Sequence, residues 1–487
     1  MDAEMNETLL DVCLDAPPPA RRIFCNRTLN LRSIKAVGFD MDYTLIHYDS
    51  AEWERRAYEH VREHLSTRGW PVDDLTFDPE MIALGLVLDL EHGNIVKANR
   101  FGYIKRAAHG TRMLPYDEQR DLYSRDVVDL SQPRWVFLNT LFSLSEACMY
   151  AQLVDRLDEG RIEGVLGYPD LYKVVRSSLD EAHMEGRLKA EIVAAPERFV
   201  VLDPEMPQAL LDLKNAGKKL ILITNSEWHY TRELMAYAFD RYLEGSSWRD
   251  LFDVVIVGAG KPSFFEHKNP TFEVIDEEGK LLPVRGPRLG GRYLGSNAAA
   301  VEEGLGLSGE EILYFGDHIF SDVRVSQSLL RWRTALVLRM LEDELDALEA
   351  FKAQQKEIAA MMAEKEELEH RFSCIRLALQ RLERGYGVRT TSASDALKQR
   401  MSALREELVA LDARIGPLAK ASSELVNARW GLLLRTGNDK SHLARQLERY
   451  ADIYTSRVSN LLAVTPFAYL RSPRGSLPHD HGPGGGV

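Results

Sequence analysis

The chain has 487 residues, 45% of them hydrophobic and 28% charged. That is the composition of a folded protein with room for roughly two to four structural units, and it excludes a chain that is disordered, collagen-like or low-complexity throughout. With 61 Lys and Arg against 74 Asp and Glu, the formal net charge is −13, so most of the surface repels a polyanion; a nucleic-acid polymer is excluded as a bulk partner, whereas a local basic pocket for one small anion is not.

Residues 1–32 carry the run Ala16-Pro17-Pro18-Pro19-Ala20 and little periodicity, and read as an arm whose residues near 26–31 dock on the body. Nothing in it resembles a secretory signal, no run of about 18 apolar residues follows anywhere, and the four cysteines, Cys13, Cys25, Cys148 and Cys374, have no zinc-ligand spacing. The expectation is a cytoplasmic protein with reduced thiols and no membrane partner. Order is expected from Ser33. Four short apolar runs, Ala36–Phe39, Lys219–Ile223, Asp253–Val257 and Glu311–Phe315, have the length and β-branched content of buried parallel strands, and Thr334–Leu338 is a fifth. Helix-length segments such as Pro204–Ala216 and Tyr230–Phe239 lie between them, which predicts an open α/β sheet with helices on both faces.

The interval from Phe39 to Lys219 is far longer than a crossover connection and must hold a domain of its own. Helical patterns fall at Glu52–Arg68, Leu138–Leu157 and Pro169–His183, and Gly93-Asn94 offers a hairpin turn within Met81–Tyr103. Past Arg339 an amphipathic stripe of Leu, Ile, Met and Phe, a turn at Gly385-Tyr386-Gly387 and a second helical stretch near Ser394–Leu434 predict a helical hairpin. The expected divisions are an arm (1–32), a core (33–45 and 204–339), an inserted cap (46–203), a helical hairpin with a C-terminal segment packing on the core or at a subunit interface (340–471), and a disordered tail (472–487) containing His479 and His481.

The first strand runs into Asp40-Met41-Asp42-Tyr43-Thr44. Two carboxylates just past the carboxyl end of a buried strand sit where open α/β sheets bind ligands, and a buried charge there calls for a partner such as magnesium. DxDxT after an apolar strand resembles the first motif of the haloacid dehalogenase (HAD) superfamily. The remaining motifs follow in order, each at a strand end: Ile223-Thr224-Asn225-Ser226, Gly260-Lys261-Pro262, and Gly316-Asp317 through Asp322. The resemblance implies a HAD-like Rossmannoid parallel sheet with a large, mostly helical cap inserted after the first strand and a C-terminal helical arm. It further implies Asp40 as nucleophile and Asp42 as general acid and base. Thr224, Asn225, Ser226 and Lys261 would hold phosphate; Asp40, Asp317 and the Asp42 carbonyl would bind Mg2+. Asp322 would orient Lys261 or metal-bound water, or cap a helix.

The words GFDMDYTL, LNTLF, ITNSEWHYT, GKPSFF, ILYFGDHIFSDV and RYADIYTS narrow the resemblance to the cytosolic purine 5′-nucleotidase type II family, from about Lys35 to Pro478. On helical spacing alone, Arg176, Asp180 and His183 read first as a surface Arg–Asp pair with a solvated histidine. The resemblance makes them, with Lys189 and Phe142, a base and ribose pocket favouring inosine and guanosine monophosphates over adenosine monophosphate. It also places Asn139, Phe320, Gln446, Arg449 and Tyr450 at a site for an activating purine nucleotide, or alternatively in packed core or a subunit interface. Ser328 stands there in place of a basic residue, which weakens the case for ATP activation; the family's acidic C-terminal run is likewise absent, replaced by a His/Gly/Pro tail. The expected function is a magnesium-dependent 5′-nucleotidase, with phosphotransfer to a second nucleoside as an accompanying activity and a homodimer or homotetramer as its assembly. The alternatives are a phosphatase for another monoester, such as a sugar phosphate, and a non-catalytic scaffold; a dinucleotide-binding oxidoreductase is set aside because no G-x-G-x-x-G turn follows the first strand.

Overall fold

The computed structural model describes residues 17–184, 186–388, 392–473 and 475. The chain divides into two compact units, one of residues up to Asp343 together with Leu433–Pro473, the other centred on Glu344–Leu432. A ten-stranded sheet organises the first unit. Its centre is parallel, with Arg333–Val337, Ile312–Gly316, Ala36–Phe39, Lys219–Ile223 and Val254–Val257 side by side. In chain order that is 5-4-1-2-3, with the first strand central, so the sheet has the α/β topology that the HAD resemblance implies.

Strand residues alternate between two apolar layers, as a side-chain period of two requires. Val37, Phe39, Leu220, Leu222, Val255 and Val257 join one layer, packed with Leu210, Leu213 and Phe239 from helices Met206–Asn215 and Trp228–Phe239. Ala36, Ile221, Ile223, Val254 and Ile256 join the other, against Phe264, Phe265, Val301 and Trp332. Burial on both faces is why these strands read as continuous apolar runs.

The sheet extends further than the sequence patterns indicate. Gly291–Gly295 adds a parallel strand beyond Val254–Val257, and Thr271–Val274 and Leu281–Val284 follow antiparallel. At the opposite edge Ile453–Thr455 pairs parallel with Arg333–Val337, and Phe24–Cys25 pairs antiparallel outside it. Order therefore begins before Ser33: the Asn26 amide donates to the carbonyls of Leu447 and Ala451, and Arg27 pairs with Asp452 at 2.7 Å.

The insertion leaves the core at His47–Tyr48 and returns at Val200–Val201, two strands that pair with each other. Helix Ser50–Thr67 opens it, its N-terminus capped by Asp49. Helices Leu144–Asp158, Tyr168–Met184 and Arg187–Ala194 follow. The hairpin within Met81–Tyr103 is Val87–Asp89 with Asn94–Ala98, and Trp135–Phe137, Ile104–His109 and Arg112–Met113 widen it to a five-stranded antiparallel sheet.

In the second unit helices Lys352–Arg384 and Ser394–Ser423 form the hairpin, joined by Met361, Leu368, Leu404, Leu411 and Ile415 and by a Lys365–Asp412 pair at 2.6 Å. The second helix stops at Ser423, short of Leu434, because Val426 takes a left-handed φ of 67° and the Asn427 side chain accepts the N–H groups of Arg429 and Trp430. Cys25, Cys148 and Cys374 are free thiols; Cys13, His479 and His481 lie outside the described residues. Among the described residues no helix is long and apolar enough to cross a membrane.

Candidate active site

The four motif loops meet at the carboxyl ends of the central strands. Asp40 follows Ala36–Phe39 directly; its N–H donates to the Phe315 carbonyl and its Oδ1 accepts the Met41 N–H at 2.8 Å. Its Oδ2 lies 2.8 Å from Lys261 Nζ. Lys261 Nζ also sits 2.8 Å from Asp322 Oδ1 and donates to the Tyr314 hydroxyl at 3.1 Å, and that hydroxyl donates on to the Ile223 carbonyl. Burial alone would lower the Lys261 pKa, but Asp322 and Asp40 outweigh it and hold it well above the ordinary lysine value.

Two glycines make this packing fit. A Cβ on Gly38 would lie 2.8 Å from Tyr314 Cδ2, and one on Gly316 would lie 2.6 Å from the Asp322 side chain. Neither the tyrosine that braces Lys261 nor the aspartate that pairs with it could occupy its place beside a larger residue. Past Asp317 the His318 Nδ1 accepts the N–H groups of Phe320 and Ser321, and Ile319–Arg324 winds as a π-helix. This turn brings Asp322 back under the site, where it accepts the His318 N–H at 3.2 Å.

Asp40, Asp317 and Asp322 each offer a carboxylate oxygen within 4.8 Å of the others. Burial, which the Lys261 ammonium only partly offsets and which Asp322 and Asp42 reinforce, pushes the Asp40 pKa up to about 7. Burial, then Asp40 and Asp322, drives Asp317 well above the carboxylate range. Close-packed acids facing one ammonium, all with hard oxygen donors, fit a divalent cation of the magnesium type. The Asp42 carboxylate is not in this cluster. Its Oδ1 accepts from the Tyr48 hydroxyl and its Oδ2 from Ser226 Oγ at 2.6 Å, so a metal contact from Asp42 would come from its carbonyl, as the resemblance implies.

Thr224 is fully buried, and its Oγ1 accepts the Ser226 N–H at 3.0 Å. Both ends of the Asn225 side chain are engaged by Lys261: Oδ1 accepts the Lys261 N–H at 2.7 Å and Nδ2 donates to the Lys261 carbonyl at 3.1 Å. The Asn225 side-chain amide thus braces the lysine loop.

From the insertion, Lys189 on helix Arg187–Ala194 brings Nζ to 3.2 Å from Ser226 Oγ and 4.8 Å from the Tyr230 ring. Phe142 packs edge-on against Tyr43 (4.8 Å) and Trp53 (5.4 Å). Arg176 donates to buried Glu146 at 2.9 Å, on the helix that begins just after Phe142. Asp180 and His183 belong to helix Tyr168–Met184, but their side chains lie outside the described residues. The sequence motifs did not single out Tyr48, Tyr230, Tyr314 or Glu146.

Asn139, Phe320, Gln446, Arg449 and Tyr450 all line one cavity of about 1080 Å³. Phe320 and Tyr450 meet at 6.4 Å, with the Arg324 guanidinium 5.6 Å and 5.8 Å from their respective rings. Ser328 is not among the lining residues, and its Oγ donates to the Arg324 carbonyl. Arg324, one helical turn earlier, supplies a cation to this cavity that the sequence motifs did not indicate.

A parallel α/β core that gathers an acid cluster, a buried lysine and a pair of hydroxyl donors at its strand ends is that of a HAD-type hydrolase acting on phosphomonoesters. The model of the 5′ nucleotidase family matches residues 23–482, and the chain belongs to that family. It is 27% identical over 476 residues to a 5′-nucleotidase domain-containing protein of Dictyostelium discoideum, covering 94% of this chain and 74% of that one. It is 28% identical over 470 residues to 5′-nucleotidase domain-containing protein 2 of Rattus norvegicus, covering 93% and 78%. Among solved structures, an archaeal β-phosphoglucomutase from Pyrococcus sp. strain ST 04 aligns over 62% of this chain and 86% of that one, with a TM-score of 0.29 and 11% identity.

Proposed function

We propose that the chain is a magnesium-dependent 5′-nucleotidase that hydrolyses purine nucleoside 5′-monophosphates, inosine and guanosine monophosphates ahead of adenosine monophosphate, through a phosphoaspartate on Asp40. The observation that carries this reading is the convergence on one point of Asp40 with Lys261, at 2.8 Å, and Asp42 with Ser226, at 2.6 Å. In the first step an Asp40 oxygen forms a bond to phosphorus while the bond from phosphorus to the 5′ oxygen breaks, and Asp42 gives that oxygen its proton. In the second step Asp42 takes a proton from water, the water oxygen bonds to phosphorus, and the bond to Asp40 breaks to release phosphate. Thr224, Ser226, Lys189 and Lys261 supply hydroxyl and ammonium donors to the phosphoryl oxygens, where charge is spread in the transition state. A magnesium ion held by Asp40, Asp317 and the Asp42 carbonyl, with Asp322 alongside, would offset repulsion between the Asp40 carboxylate and the phosphate.

Purine preference rests on Phe142 as a stacking face and on Arg176, braced by Glu146, together with Asp180 and His183, for the base edge. Transfer to the hydroxyl of a second nucleoside, in place of water, is the accompanying reaction. The test is a panel of nucleoside monophosphates and sugar phosphates assayed with magnesium, using wild type, Asp40→Asn and Arg176→Ala. Turnover should vanish in Asp40→Asn, and Arg176→Ala should erode the preference for inosine monophosphate. Activity that survives Asp40→Asn refutes the mechanism, and substrate ratios unchanged in Arg176→Ala refute the purine pocket in favour of a broader phosphomonoesterase.

The cavity lined by Phe320, Tyr450, Gln446, Arg449 and Asn139 supports a second site for a regulatory nucleotide, with Arg324 providing charge in place of Ser328. Isothermal titration with purine nucleotides tests it: binding retained in Asp40→Asn and lost in Arg324→Ala is expected. The reading includes a homo-oligomer in the cytoplasm, and a monomer by light scattering counts against that assembly.

A further inference from the structure

Asp42 is gripped from two sides, and donor arithmetic gives each grip a direction. Lys189 Nζ lies 3.2 Å from Ser226 Oγ, which lies 2.6 Å from Asp42 Oδ2. An ammonium donates and never accepts, so Ser226 accepts from Lys189 and its one hydroxyl hydrogen goes to Asp42. On the other side the Tyr48 hydroxyl donates to Asp42 Oδ1 and lies 3.1 Å from the Tyr230 hydroxyl. With the Tyr48 hydrogen committed to Asp42, Tyr230 is the donor of that second bond.

The two grips differ in what else they must do. Under the function proposed above, on which this inference rests, Ser226 and Lys189 also serve the phosphoryl oxygens and are drawn toward them when substrate binds. Tyr48 has no such second duty. Its side chain is 3% exposed, its ring centroid lies 4.5 Å from that of Trp53 and 5.2 Å from that of Tyr43, and its oxygen is braced by Tyr230 on helix Trp228–Phe239. Trp53 stands on the first helix of the insertion and Tyr230 on a core helix, so the Tyr48 side chain is held by both, Trp53 at its ring and Tyr230 at its hydroxyl. A ring packed against two aromatic neighbours and tied at its tip has little rotamer freedom to lose, which is the condition for holding a reacting group at a productive angle.

We propose that Tyr48 is the positioning residue of the general acid and base: it keeps the Asp42 carboxyl aimed at the leaving oxygen while Ser226 and Lys189 turn to the phosphate. Its contribution is therefore confined to the proton transfer and is felt only by substrates whose leaving group needs that proton. A nucleoside 5′-oxygen leaves as a strongly basic alkoxide and needs it; 4-nitrophenolate does not.

The experiment compares kcat/KM, which reports only steps through departure of the leaving group, for inosine 5′-monophosphate and 4-nitrophenyl phosphate in wild type, Tyr48→Phe and Tyr230→Phe. General acid catalysis contributes about 10²- to 10⁴-fold. Loss of its positioning in Tyr48→Phe is expected to lower kcat/KM for the nucleotide by about 10- to 100-fold and that for the aryl phosphate by less than about threefold. Tyr230→Phe, which leaves Tyr48 in place and removes only its brace, should show a smaller loss with the same selectivity. Equal losses on both substrates, or no loss on either, in both variants overturn the assignment. Wild type that turns over neither substrate, or keeps its activity in Asp40→Asn, overturns the proposed function itself, so the two failures are told apart.

Discussion

Glu54 on helix Ser50–Thr67 is 1% exposed, and its Oε2 accepts the Ser145 N–H at 2.6 Å. Burial is the main reason its pKa rises to about 8 from 4.5; the Ser145 contacts oppose the rise and the neighbouring Glu146 adds to it. The folded state thus binds a proton that the unfolded chain has released, so stability is highest below the unfolded pKa and falls as pH rises toward the folded one. Replacing Glu54 with Gln keeps an acceptor for Ser145 and removes the ionisation. Relative to wild type, Glu54→Gln should gain about 1 kcal/mol at pH 5, about 3 kcal/mol at pH 7 and between about 4 and 5 kcal/mol above pH 8, on top of any pH-independent packing change. Urea unfolding followed by tryptophan fluorescence at those pH values measures the difference, in which every other titrating group cancels. A difference that stays flat from pH 5 to pH 8 refutes a buried, protonated Glu54.

Gly38→Ala should push the Tyr314 ring, 2.8 Å away, off Lys261, costing about 1–3 kcal/mol of stability and lowering kcat; an unchanged thermal midpoint and rate would contradict the close approach. Asn225→Ala removes two hydrogen bonds to the Lys261 backbone and should lower kcat/KM by about tenfold, equivalent to about 1.4 kcal/mol, with little change in the melting temperature; a wild-type rate would show that the lysine loop holds itself. Magnesium at about 100 times its dissociation constant should stabilise the wild type by about 2.7 kcal/mol and Asp317→Asn far less, as read by differential scanning fluorimetry; equal shifts would place the ion elsewhere.

The catalytic motifs were legible because buried parallel strands advertise themselves as apolar runs and open α/β sheets place chemistry at strand ends. Asp40, Thr224, Lys261 and Asp317 each lie at such an end, and the structure brings all four together. Tyr48, Tyr230 and Tyr314 were not legible, because an aromatic residue in an apolar stretch reads as core and its hydroxyl partner is chosen by tertiary packing. Tyr48 and Tyr230 are separated by 182 positions, and no local pattern connects them. The outer strands of the inserted sheet, such as the two-residue Arg112–Met113, are too short for alternation to register. Ile453–Thr455 joins the main sheet only after the chain has left for the helical hairpin, so nothing near it in sequence announces its neighbour Arg333–Val337. The Asn225 side chain shows a different limit: its two hydrogen bonds to the Lys261 backbone are set by tertiary packing, and no motif spacing indicates them.

Net charge and catalysis pull in opposite directions in a chain of −13 that acts on an anion, and the site resolves them locally. Lys261 faces both Asp40 and Asp322 at 2.8 Å, and those two carboxylates keep it protonated despite its burial. Its charge is therefore already engaged before a substrate arrives. Asp317 adds a third carboxylate to the cluster and Asp42 a fourth nearby, while Lys189 is the second ammonium and meets Ser226 and the Tyr230 ring. Among the described residues, four acids against two ammonium groups leave the site negative when all are ionised; burial first, and the neighbouring carboxylates after it, push the Asp40 and Asp317 pKa values upward. A phosphate dianion entering such a site meets repulsion in a low-dielectric surrounding unless further positive charge enters with it. The acid cluster thus fits a divalent cation by donor type, and under the proposed function such a cation would offset the carboxylate charge that the ammonium groups leave unbalanced.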